Sequence, residues 1–220
     1  MRRTLPLLLA LAACATPQSQ APQPVTHRWF ATWTASPYDA PPRPPRDSVD
    51  RVPTLHDQTL RLIVRTSIGG DDVRIRLSNE YGDRPLMIDV AHIAVRDTGA
   101  SIDPATDRAL TFGGRSFVQM RPGAIVWSDP VAMSVPALHD LAVSLHLTDS
   151  TRLSTRHPLA LQTSYVGHGN VVGARSFTPD TTIEIWPFLV GVDVTNRRAT
   201  GVIATITPAT DGLTTSTPTR

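Results

Sequence analysis

From residue 60 to residue 68 the side chains alternate: Leu60, Leu62, Val64, Thr66 and Ile68 on one side, Arg61, Ile63, Arg65 and Ser67 on the other. A period of two is the period of a strand, and the polar partners predict one that is half-buried. Gly69, Gly70 and Asp71 break the run, after which Val73, Ile75 and Leu77 alternate with Arg74 and Arg76. A turn signal over residues 79–83 precedes a second extended apolar stretch over residues 86–95, and the pair predicts a hairpin. Further strands are expected over residues 116–120, 124–127, 131–135, 141–147, 159–166, 182–186, 189–194 and 201–206, divided by Gly, Pro and Asp turns. No stretch holds a helical period with caps.

Many short strands at close spacing predict an all-β fold, an antiparallel two-sheet β-sandwich with jelly-roll-like topology, over residues 28–198. Composition agrees: 220 residues with 40% hydrophobic side chains and 4 Trp suit one domain with a real core. The 1 Cys closes no intramolecular disulfide and builds no thiolate zinc site. All 21 basic side chains are Arg, against 19 acidic ones, and removing Arg2 and Arg3 leaves 19 of each. Near-neutrality without a basic block argues against a nucleic-acid partner.

Those two arginines open an export signal. Met1-Arg2-Arg3, an apolar stretch from Leu5 and the small residues ending at Ala13 form a signal peptide over residues 1–13, too short to span a bilayer. Leu11-Ala12-Ala13-Cys14 resembles the bacterial lipobox, so Cys14 is the expected lipidation site; the alternative is an ordinary signal peptide with an incidental Cys. Residues 14–27, without charge or apolar pattern over most of their length, read as a lipid-anchored flexible tether. The implied location is the bacterial cell envelope, with the membrane as a partner through the N-terminal lipid, and the outer membrane in a Gram-negative cell.

Several ordered words carry a family resemblance. Trp33-Thr-Ala-Ser-Pro37, Leu60-Arg-Leu-Ile-Val-Arg-Thr-Ser-Ile-Gly-Gly70, Val73-Arg-Ile-Arg-Leu-Ser-Asn-Glu-Tyr-Gly82, Ala109-Leu-Thr-Phe-Gly-Gly114 and Leu161-Gln-Thr-Ser-Tyr165 resemble the amino-terminal half of secreted two-domain GDSL/SGNH esterases, the acetylxylan-esterase-like acylhydrolases. The resemblance implies a noncatalytic β-sandwich placed before a hydrolase domain whose first strand leads into a Gly-Asp-Ser turn. Val202-Ile-Ala-Thr205 fits that strand, and Thr210-Asp211-Gly212 with Ser216-Thr-Pro218 fits the stretch just after the turn. Between them stand Ile206, Thr207 and Pro208, so Pro208 occupies the expected nucleophile position and no catalytic residue is assigned. Residues 199–220 then read as a remnant of the start of a hydrolase domain, through degeneration, a frameshift or truncation. The chain is expected to be an accessory module, inactive alone; the competing expectation is a cut-short esterase whose activity belongs to a longer parent.

Nothing else in the chain spells an independent active site. No Gly-x-Ser-x-Gly elbow occurs, and His139, His146, His157 and His168 lack the tight ligand spacing of a metal site. Asp71-Asp72 and the Gly69-Gly70 and Gly113-Gly114 pairs read as turns, Pro41 to Pro45 as a stiff surface loop, and no cofactor is expected. Trp29, Trp33 and Tyr38, beside Phe30, are the candidate ligand-binding residues, because exposed aromatic faces stack on sugar rings and so make polysaccharide a candidate partner. The alternative places these rings in the core, or against the hydrolase domain.

Cys14 is predicted to carry lipid and to begin the mature chain. Mass spectrometry of membrane-fraction protein should find an acylated Cys14, and Cys14→Ser should leave the protein soluble or unprocessed; an unmodified, soluble wild-type chain would refute this.

Overall fold

A computed structural model of the chain describes residues 28–39 and 54–199; Cys14, Pro208, the 14–27 tether, the polyproline stretch and the strand expected over 201–206 lie outside them. Eleven strands make two main sheets: β1 (Trp29–Thr34), β2 (Gln58–Arg65), β3 (Gly70–Ser78), β4 (Val90–Val95), β5 (Arg108–Ala109), β6 (Ile125–Trp127), β7 (Val131–Val135), β8 (Asp140–Leu147), β9 (Ser164–His168), β10 (Thr181–Ile183) and β11 (Leu189–Thr195). The five-stranded sheet runs β1-β11-β3, with β6 and β7 sharing the far edge of β3; the six-stranded sheet runs β10-β9-β2-β8-β4-β5. Every pairing is antiparallel. Short ribbons close the ends, Tyr38–Asp39 with Thr155–His157 and Trp186–Pro187 among them. The described residues thus form an all-β antiparallel sandwich, and their one helical element is a 3-10 turn at Pro104–Thr106.

The register shows how the chain is wound. Leu60 pairs with Leu145 and Arg65 with Asp140 in one sheet, Val73 with Val131 and Ser78 with Ile125 in the other. Ile88 then pairs with Val118 and His92 with Ala109. One long two-stranded ribbon is therefore folded back and forth between the sheets, which is the jelly-roll pattern. The hairpin expected between residues 73–77 and 86–95 does not form. Both edges of β3 are already taken, by β11 on one side and by β6 and β7 on the other. Asn79 instead holds a crossing loop, its side-chain amide donating to the carbonyls of Arg84 at 2.9 Å and Met120 at 3.2 Å. The strand expected over 159–166 begins only at Ser164. Ala160 donates its N–H to the Glu184 carbonyl at 3.0 Å, which pins a tight loop that leaves Leu159 and Leu161 exposed.

Between the sheets, Leu60, Leu62 and Val64 of β2, Ile93 of β4 and Leu141, Val143 and Leu145 of β8 meet Val73, Ile75 and Leu77 of β3 and Val192 and Val194 of β11. Each such side chain contributes roughly 1.5–3 kcal/mol by leaving water. The Gly69-Gly70 turn between β2 and β3 is confined: a Cβ on Gly69 would overlap the Val135 carbonyl, and one on Gly70 the Thr195 carbonyl.

The half-buried reading of β2 needs correction. Residues Thr59 to Val64 are all buried, because chain segments also cover the outer face of the six-stranded sheet, where Ile63, Ala94, Ile102 and Ala142 make a second small core. Arg61 sits in this cover with 0% exposure. Its Nε donates to Ser144 Oγ at 3.0 Å, one terminal nitrogen to the Ala100 carbonyl at 2.5 Å, and the other to the carbonyls of Val171, Val172 and Ala174 at 2.9–3.0 Å. The Phe177 ring stacks on the guanidinium with its centroid 4.7 Å from Cζ. Burial lowers the pKa of Arg61 to about 10, partly offset by the charge of Asp107, so the group stays charged at neutral pH.

Arg61→Ala should destabilise the domain by at least about 3 kcal/mol, since it strands several buried carbonyls at once. Urea unfolding gives the loss, and amide exchange should quicken first around residues 100 and 171–174. Arg61→Lys should recover little, because an ammonium cannot span both loops; a near-neutral Arg61→Ala would refute the assignment.

Candidate functional site

Strict alternation along β1 would place Trp29, Ala31 and Trp33 on one face. The pairing with β11 follows that rule only in part: Phe30 lies opposite Val194 and Ala31 opposite Asp193, then the register slips and Trp33 lies opposite Val192. Thr32 is the extra residue. Its hydroxyl donates to the Ile68 carbonyl at 2.6 Å and accepts from the N–H groups of Ser67 at 3.1 Å and Ile68 at 3.2 Å, clamping the turn that follows β2. This bulge sends Trp33 inward, where it packs against the main core, and leaves Trp29 outside.

On the outer face of the five-stranded sheet, Trp29 joins a group built around Arg74 with residues of β6 and β11. The Arg74 guanidinium lies 4.5 Å from the Trp29 ring centroid and 4.2 Å from that of Trp127, and Arg76 lies 5.1 Å from Trp127. Arg74 also donates to Asp193 Oδ2 from Nε at 3.2 Å and from a terminal nitrogen at 3.0 Å. Alongside, Thr195 Oγ1 donates to Asp72 Oδ2 at 2.8 Å. The Arg76 guanidinium lies flat over Gly191, where a Cβ would come within 3.1 Å of it. Trp127 keeps 38% and Ile125 53% of their surface exposed. The face is thus a row of indoles held by fixed guanidiniums and bordered by carboxylates.

Trp33 and Tyr38 belong to a different cluster at the sheet corner. Trp33 meets Trp186 edge to face with centroids 4.9 Å apart, Trp186 stacks on His157 at 5.6 Å, and His157 meets the exposed Tyr38 at 6.2 Å. Trp186 Nε1 donates to the Ile63 carbonyl at 2.8 Å, so this indole is a structural wedge. The structure therefore links Trp33 to Tyr38 through Trp186 and His157 and sets Trp29 apart. Arg74, Arg76 and Asp193 are absent from the sequence-derived set. The alternation places both arginines on one side of a strand, but which indoles they meet depends on pairing across strands.

Two histidines are paired with carboxylates. His92 Nδ1 lies 2.9 Å from Asp107 Oδ2, and His146 bridges Asp89 at 2.9 Å and Asp57 at 3.1 Å, joining the segments that enter β4 and β2. Neither imidazole is hydrogen-bonded to a serine hydroxyl among the described residues. Ser144 pairs across the strand from His92, yet it is buried and its Oγ is held by Arg61. A hydroxyl so engaged is not presented as a nucleophile. His139 and His157 are each bonded through Nδ1 to a carbonyl, those of Ala137 and Ser36. No group of His, Cys, Asp and Glu among the described residues is placed to hold a metal ion. Gly113 and Gly114, both with positive φ, aim their N–H groups at Asp129, 3.0 and 2.7 Å away. With Thr111 these donors hold the Asp129 carboxyl below its usual range, the Gly114 N–H contributing most. The concavity a phosphate would use is filled by the protein's own carboxylate.

No protein-family model matches this chain, and no curated protein matches it.

Arg74→Ala should cost about 2 kcal/mol, from the lost cation–π contacts and the stranded, mostly buried Asp193. Thermal unfolding reads the loss. Trp fluorescence should change with it, as Trp29 and Trp127 lose the cation between them; unchanged emission would show that the stack does not persist in solution.

Proposed function

We propose that this chain is a noncatalytic accessory module of the GDSL/SGNH-esterase type, held at the cell envelope by lipid on Cys14, and that it binds carbohydrate. The observation that carries the reading is the outer face of the five-stranded sheet, where Trp29 and Trp127 flank the Arg74 guanidinium. An indole stacks on the apolar face of a pyranose, and neighbouring guanidinium and carboxylate groups bond to its hydroxyls. Arg74 is anchored to Asp193, so the platform is fixed before a ligand arrives and little ordering entropy is lost on binding. The noncatalytic part has separate support: Pro208 has no nucleophilic atom, and Ser144, the serine paired across from His92, has its hydroxyl bound by Arg61.

Electrophoresis through gels carrying soluble xylan, mannan or β-glucan should retard the protein in at least one. Trp127→Ala should weaken that binding roughly tenfold, the loss of one stacking contact of about 1.4 kcal/mol. The purified chain should show no saturable turnover of nitrophenyl acetate, and Pro208→Ser should create none. Absence of retardation in every gel would defeat the carbohydrate reading, and phosphonate-sensitive turnover would defeat the noncatalytic one.

A further inference from the structure

Away from the sheet face, a cleft of 280 Å³ opens at one end of the sandwich. One wall is the crossing loop after β3, carrying Asp83 and Arg84; the other carries Asp149, Ser150 and Ser154, with Thr54 beside it. The first wall is braced. Asn79 holds the Arg84 carbonyl, the Asn79 carbonyl accepts from the N–H groups of Gly82 and Gly123, and a Cβ on Gly82 would overlap the Asn79 side chain. Phe188 lines the cleft from within, 1% exposed and with φ of +62°. A bulky residue in that region is strained. Phe188 is held there by its N–H on the Thr155 carbonyl and by its own carbonyl, which accepts from the Ser78 N–H. Backbone strain kept in place by its surroundings gathers at binding sites.

The cleft also faces in an informative direction. Trp29 pairs with Thr195, so the start of β1 and the end of β11 lie at one end of the sandwich, whereas Leu189 pairs with Leu77 toward the other, where Asn79 and Phe188 lie. The cleft is therefore remote from the side on which residue 28 follows the tether.

We propose that this cleft is a second binding site, for a single neutral sugar unit; the proposal rests on the carbohydrate-binding reading and gives it a second locus. The volume lies just below the roughly 300–1,000 Å³ of ligand pockets in general, which suits one small ring. The lining carries two carboxylates, Asp83 and Asp149, and two guanidiniums, Arg84 and Arg152, so its formal charge cancels and favours neither an anion nor a cation. A neutral polyol uses all of these groups, since each of its hydroxyls both donates and accepts.

Amide spectra of the full domain titrated with millimolar glucose, galactose, mannose, xylose and N-acetylglucosamine test this. At least one sugar should shift the signals of residues 82–84 and 149–154. Asp83→Ala should weaken that sugar fivefold or more while leaving polysaccharide retardation through Trp127 in place; Asp149→Ala provides a second variant from the opposite wall. Shifts that persist undiminished in both variants, or none at these residues while the protein still binds a polysaccharide, would overturn the cleft site and leave the sheet-face reading standing. Failure to bind any carbohydrate would overturn both.

Discussion

A guanidinium with no exposed surface is costly to keep, and Arg61 shows what keeping one requires. Its donors need acceptors inside the protein, and the strand that carries it offers none, because the carbonyls of β2 are engaged elsewhere, in the ladders with β8 and β9 and, at Ile63, by the Trp186 indole. The acceptors come from two distant segments, around Ala100 and around Val171 to Ala174. Arg61 thereby ties both segments down over the six-stranded sheet. That cover buries Ile63, Ala94 and Ala142 and makes this a sheet with two apolar faces. The two sheets differ in this: the outer face of the five-stranded sheet keeps Trp127 and Ile125 exposed.

Arg61 and Arg74 are indistinguishable in local sequence. Each sits between β-branched or leucine neighbours in a run of period two, and the pattern gives both the same expectation of a half-buried strand with a polar outer face. Arg61 ends wholly buried among carbonyls, while Arg74 ends partly exposed between two indoles. What separates them is whether another part of the chain arrives to cover the face, and that information lies a hundred or so residues away, in the segment after β9. Local alternation reads the strand; it does not read the layer above it.

The same division runs through the rest of the fold. Strand positions were legible wherever turn residues bracketed an apolar alternation, as at β3, β7, β8 and β11, and so was the all-β sandwich. Partner choice was less so. The turn after β3 carries the Asn and Gly expected of a hairpin, but a turn closes a hairpin only if the edge of its strand is free, and tertiary pairing had filled both edges of β3. For the site, aromatic composition identified Trp29, Trp33 and Tyr38 as residues of interest without showing that Thr32 would insert a bulge between the first two. A one-residue slip exchanges the faces of a strand, so a single threonine hydroxyl, bonded to the turn at Ser67 and Ile68, decides which indole packs against the core.

Thr32 also connects the site to the winding of the domain. The turn it clamps joins β2 to β3 and therefore carries the ribbon from the six-stranded to the five-stranded sheet, with Gly69 and Gly70 passing tightly against the carbonyls of Val135 and Thr195. Those contacts fix β7 and the end of β11 against the start of β3. From there the register along β3 sets Arg74 opposite Asp193 and Arg76 opposite Trp127. The geometry of the indole and guanidinium row is thus a product of the crossover, and side chains at the surface inherit their spacing from a turn packed beneath them. A platform built in this way is as rigid as the sandwich that carries it, which is the property a binding surface needs when its contacts are individually weak.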